Sequence, residues 1–146
     1  MFNSGNILFC KNFQFNNNNT PKDKYFIVLK RHQDKLILGS LPTRTSKMVN
    51  FIDVEHGCVN INERCFNCYV FEANKVICDN GFSFPIKTFI YGDELDLYDV
   101  DIVEANYQLN VTYNLQGTLK LEEYDAILNC IITSDSVKKK YIRLLK

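Results

Sequence analysis

This chain contains no tryptophan, carries no net charge and has no long apolar run. Each absence excludes something. With 17 basic side chains against 17 acidic ones, no general electrostatic grip on nucleic acid or an anionic membrane is available. Nucleic-acid binding would have to come from a local basic patch. No apolar segment approaches the roughly 18–20 residues that span a bilayer, so no membrane partner is expected. Residues 1–13 lack a basic stretch followed by a long apolar one, so export is not signalled and a cytoplasmic protein is expected. No internal repeat or linker divides the chain, and residues 1–146 are expected to form a single domain.

What is present is ordinary globular composition, 46% hydrophobic and 23% charged, which excludes wholesale disorder. A chain of 146 residues can bury roughly two-thirds of its unfolded surface without staples. Its 11 Phe and 8 Tyr favour a strand-rich fold with an aromatic core.

Residues 22–45 organise the rest. Two apolar runs, 25–29 and 36–41, are rich in β-branched and aromatic side chains and too short for ordinary helices. Each reads as a buried strand, and the polar residues 30–35 between them suit a hairpin loop. Lys22 and Lys24 precede the first strand; Thr43, Arg44, Thr45 and Ser46 follow the second. In an antiparallel hairpin those two ends meet at one edge. Cations facing hydroxyls there form a phosphate-handling arrangement, or simply a solvated strand end.

Six cysteines, Cys10, Cys58, Cys65, Cys68, Cys78 and Cys130, are expected to be reduced thiols in a protein without an export signal. His56, Cys58, Cys65, Cys68 and Cys78 supply enough ligands for a tetrahedral zinc site. Against that, Cys65 and Cys68 are three residues apart in a strand-like segment, where they would face opposite sides of a sheet. No metal and no cofactor are therefore expected.

Along the chain, residues 5–9 read as a first strand and 16–21 as an Asn-rich loop ending in Pro. Strands are expected at 49–54, 58–61, 68–71, 76–78 and 88–91, with a turn at Asp79-Asn80-Gly81. Asp93, Glu94, Asp96, Asp99, Asp101 and Glu104 then concentrate acidity on what reads as the solvated side of a strand or short helix. Periodicity turns helical over 121–131 behind Glu122-Glu123, and 136–146 reads as a short basic amphipathic helix. Many short strands closed by helix predict a mainly β fold, a small barrel with a C-terminal helix.

The order of these elements resembles a family. Gly5-Asn6-Ile7, a variable loop, and a basic residue leading into an apolar strand from Lys24 resemble the opening of MazF/PemK-type toxins. There a Gly-Asp-Ile-like start precedes Arg-Pro and an apolar run. The strand ending in Leu41-Pro42-Thr43 resembles the family's strand that ends in a functional Thr or Ser. Residues 88–95 are similar to its Ser-x-Val to Asp-Gln-Ile segment, and Gly117-Thr118-Leu119 with 122–131 to its closing Gly-x-Leu and C-terminal helix.

The resemblance implies an SH3-like barrel with a few helices. It also implies a metal-independent endoribonuclease that cuts single-stranded RNA through attack of the 2′-hydroxyl on the adjacent phosphate. Such chemistry needs a base, an acid and cations for the developing phosphorane charge. By position Lys24 and Thr43 would be catalytic, with Lys22, Arg44 and Thr45 binding phosphate. A homodimer and an antitoxin protein are the implied partners. The chain departs from the pattern at three points: Lys24 replaces an Arg, Tyr25 replaces the Pro after it, and Asn6 replaces the first-strand acid. Lys lacks the planar fork of Arg, so these changes bear on catalysis more than on the fold. The alternative is a catalytically inactive barrel of the same shape that binds nucleic acid or protein.

Overall fold

A computed structural model describes residues 2–13, 20, 22–41, 54–107 and 112–146, with the side chain of Lys22 left out. The protein is mainly β, with two antiparallel sheets and three helices. The strands are β1 (Asn6–Phe13), β2 (Lys22–His32), β3 (Lys35–Leu41), β4 (Gly57–Ile61), β5 (Phe66–Phe71), β6 (Thr88–Tyr91), β7 (Leu95–Asp99) and β8 (Tyr113–Thr118). The helices are α1 (Val100–Asn106), α2 (Leu121–Ile132) and α3 (Lys139–Leu145). The larger sheet has the order β7-β3-β2-β1-β8 and the smaller β4-β5-β6.

The expected hairpin is the centre of the larger sheet. β2 lies between β1 and β3, and a separate core covers each face of the sheet there, so Phe26, Ile27, Val28 and Leu29 are all buried. That is why its sequence runs apolar without alternation. Ile27 and Leu29 face the main core, where Tyr69, Phe71 and Ile90 of the small sheet meet α2 and α3. Phe26 and Val28 face a second core with Leu8, Phe13, Leu36, Leu38 and Tyr98, closed by Val100 and Val103 of α1.

The two sheets meet where β3 crosses β6. Gly39 sits there because a Cβ would land on the Ile90 side chain, so only hydrogen allows the approach. Together the sheets and helices make a small barrel-like fold, with α1 between β7 and β8 and the other two helices after the last strand. The Asp79-Asn80-Gly81 turn is present, with Gly81 at φ +88 and its N–H donating to the Cys78 carbonyl at 3.1 Å.

Several expectations need correction. Residues 76–78 are not a strand; Cys78 makes only an isolated bridge to Leu119. The acidic stretch, by contrast, is as expected: it runs through β7 into the short α1 with none of its six carboxylates buried, Lys35 pairing with Asp99 and Arg31 with Glu104 at 3.5 Å. Residues 49–53 of the strand expected at 49–54 lie outside the described residues, and Val54 is not in a strand. The largest correction concerns the thiols. Cys58 and Cys130 form a disulfide with Cα atoms 5.5 Å apart, while Cys10, Cys65, Cys68 and Cys78 are free. The pair is separated by 72 residues, and only the docking of α2 on β4 brings it together. No local spacing encodes that contact.

Candidate functional site

The hairpin edge is built as its strands require. Leu41 ends β3 opposite Tyr25 of β2, so β3 stops beside Lys24. On the other side Lys24 pairs in register with Cys10 of β1, and Tyr25 packs its ring 4.8 Å from Phe9. Lys24 is half-buried, with Tyr25 and Phe84 in edge contact at 6.0 Å on the neighbouring face. Thr43, Arg44 and Thr45 lie outside the described residues, as does the Lys22 side chain. Of the five expected site residues, the structure therefore positions one side chain, Lys24, at the edge where β3 ends.

A second cluster was not foreseen in its full membership. His56 precedes β4, Tyr69 stands on β5 and Glu123 on the first turn of α2. The His56 Nδ1 accepts the Glu72 backbone N–H at 3.1 Å. Its Nε2 therefore carries the proton in the neutral ring and donates to Glu123 Oε1 at 2.5 Å. The Tyr69 hydroxyl donates to the same oxygen at 3.0 Å. Burial first, then the Glu123 charge and this hydrogen bond, push the Tyr69 hydroxyl above its ordinary range.

Both ring nitrogens of His56 are thus engaged and no lone pair faces an open surface. The arrangement fastens α2 to the small sheet and offers no general base in this state. The only sequence signal was the acidic pair Glu122-Glu123, which reads as helix-start chemistry and says nothing of a histidine partner.

The cysteines do not assemble a metal centre. Cys65 is exposed in a left-handed turn at φ 49, after the 3-10 segment Asn62–Arg64, while Cys68 is buried in β5. Among the described residues no three His, Cys, Asp or Glu side chains are grouped to hold a metal ion. Burial pushes the thiols of Cys10, Cys68 and Cys78 up to about 12, which suppresses the nucleophilic thiolate.

No helix among the described residues is long and apolar enough to cross a membrane. No protein-family model matches the chain, and no matching curated protein was found.

Proposed function

We propose that this protein is a MazF/PemK-like, SH3-like barrel that binds single-stranded RNA at the open end of the β2–β3 hairpin and cleaves it without metal. The observation that supports this reading is the register of Tyr25 with Leu41. It sets Lys24 at the edge from which Thr43, Arg44 and Thr45 follow in sequence. In this reading Lys24 and Arg44 neutralise the charge on the reacting phosphate, Lys22 and Thr45 hold the flanking backbone, and Thr43 hydrogen-bonds the reacting region. The fold class agrees with the resemblance, and so does the position of α2 directly after the last strand.

Toxin action in the cytoplasm, a homodimer and a neutralising antitoxin protein belong to the same proposal. In a glutathione-buffered cytosol Cys58 and Cys130 would stand as two thiols. The test is incubation of the purified, reduced and folded protein with single-stranded RNA in excess chelator. Cleavage leaving 2′,3′-cyclic phosphate ends is the expected result, and intact RNA removes the catalytic reading.

One observation favours a binding module without catalysis. His56, which is hydrogen-bonded to the Glu123 carboxylate, has both nitrogens occupied, and Lys24 replaces the family's arginine. RNA bound and left intact would select that reading.

A further inference from the structure

Lys139 and Arg143 of α3 and Lys146, the residue that caps it, follow one another at i, i+4 and i+7, which sets them along one side of the helix. That side borders a groove of about 550 Å³ between α3 and the C-terminal end of α2. Ile132 and Ile142 give it an apolar floor, and Thr133 and Ser134 contribute to its wall. Among the described residues none of the three cations is paired with a carboxylate. The neighbouring Lys138 and Lys140 are engaged differently: their charges act on Asp96, which burial nevertheless pushes upward. Lys30 adds a fourth cation at the rim, its Nζ donating to the Lys146 carbonyl at 3.1 Å. Asp135 is the one carboxylate in the lining.

A chain of zero net charge has thus gathered unpaired positive charge along one wall of one groove. The α3 rise spaces the three cations by about 6 and about 4.5 Å, a row suited to successive backbone phosphates. No aromatic ring lines the groove, so it holds no stacking platform for bases.

We propose that this groove is a second, sequence-independent phosphate-binding site for the RNA strand taken at the hairpin edge. The proposal rests on the RNA reading given above and extends it. Lys30 stands six residues along β2 from Lys24, about 20 Å at the usual strand rise. Lys24 pairs with Cys10 on the face of the second core and Lys30 with Ile37 on the face of the main core. The strand must therefore also pass round the sheet, and at roughly 3.4 Å per stacked nucleotide more than about six nucleotides are needed. RNA long enough to reach both sites gains the groove; a trimer does not.

The experiment measures binding of fluorescent 2′-O-methyl RNA, which lacks the hydroxyl needed for cleavage, as a trimer and a 12-mer. Wild type is compared with Lys139→Ala/Arg143→Ala/Lys146→Ala and with Lys75→Glu, a charge change on an exposed loop outside the groove lining. All three replaced side chains are exposed, so folding should survive, and thermal unfolding checks it. Three lost contacts at about 0.7 each lower the slope of log affinity on log salt by about 2. At about 0.1 M salt that weakens 12-mer binding about a hundredfold. Trimer binding and the Lys75→Glu variant should be unchanged.

An unchanged slope in the triple variant overturns the groove, as does tighter binding there of an acidic, apolar peptide than of RNA. Wild type that binds no RNA overturns both this site and the RNA reading. RNA bound through the groove but never cut leaves the groove standing and removes only catalysis.

Discussion

Glu123 and His56 are 67 residues apart in sequence and their side chains meet at 2.5 Å. The contact ties the first turn of α2 to the chain entering β4, with Tyr69 sharing the same carboxylate oxygen. Side-chain exposures of 14% and 13% mean that water cannot readily replace either partner. The Cys58–Cys130 disulfide fastens the same helix further along. Helix and small sheet are therefore joined at two points, one polar and one covalent.

Removing the polar point should be costly. Glu123→Ala leaves the His56 Nε2–H and the Tyr69 hydroxyl without their acceptor, at about 1–3 kcal/mol. Urea unfolding of reduced protein measures it without the covalent link. A loss under about 0.5 kcal/mol would show that apolar contacts alone seat the helix.

Thiol counting tests the disulfide. Cys65 is the one exposed free cysteine, and Cys10, Cys68 and Cys78 are buried. An aromatic disulfide reagent should titrate one thiol in native protein, four in denaturant and, after reduction and removal of reductant, six. Closing a 72-residue loop constrains the unfolded chain, so reduction should lower stability by about 4 kcal/mol on the chain-entropy account. Six reactive thiols in unreduced, denatured protein would remove the bond.

Alkaline pH should destabilise the fold. The buried thiols ionise at about 12 when folded and at 9.0 when exposed by unfolding. Their folded values are raised, so the native state holds more protons in that window. Stability is then full below pH about 9 and falls as pH rises towards about 12, by at most about 1.4 kcal/mol per pH unit per thiol. Unfolding midpoints from pH 8 to 11 read this slope, and Cys10→Ala should flatten it. A flat profile in the wild type would contradict the burial of these thiols.

Gly39 offers a packing test. A Cβ there falls on the Ile90 side chain with Cδ1 nearest, so Gly39→Ala should cost about 1–3 kcal/mol. Ile90→Val removes that carbon and should recover much of the loss in the double variant. Additive losses would show that the clash is relieved elsewhere.

The hairpin edge makes the functional prediction. Lys24→Ala should slow RNA cleavage about a hundredfold or more while leaving the unfolding midpoint nearly unchanged. Lys24→Arg should preserve or raise the rate, because the guanidinium fork suits phosphate. Thr43→Ala should also slow cleavage. Equal rates in wild type and Lys24→Ala would take Lys24 out of the reaction.

Local patterns in the sequence determined much of the fold. The hairpin followed from two β-rich apolar runs, the strand at Thr88–Tyr91 from a third, and α2 from a 3.6-residue period beginning at Leu121. Each signal lies within one element and needs no partner to be recognised. The strand of the acidic region was harder to read, because β7 is five residues long and passes directly into α1.

Only the tertiary structure decided which distant residues meet. The disulfide, the His56–Glu123–Tyr69 contact and the close crossing at Gly39 all depend on how the small sheet and α2 pack together. The cationic groove depends on α3 turning back beside α2, which leaves Lys139, Arg143 and Lys146 on one wall. A periodicity records which face of an element is apolar. It carries no information about which side chain on another element will cover that face, and these contacts arise from that choice.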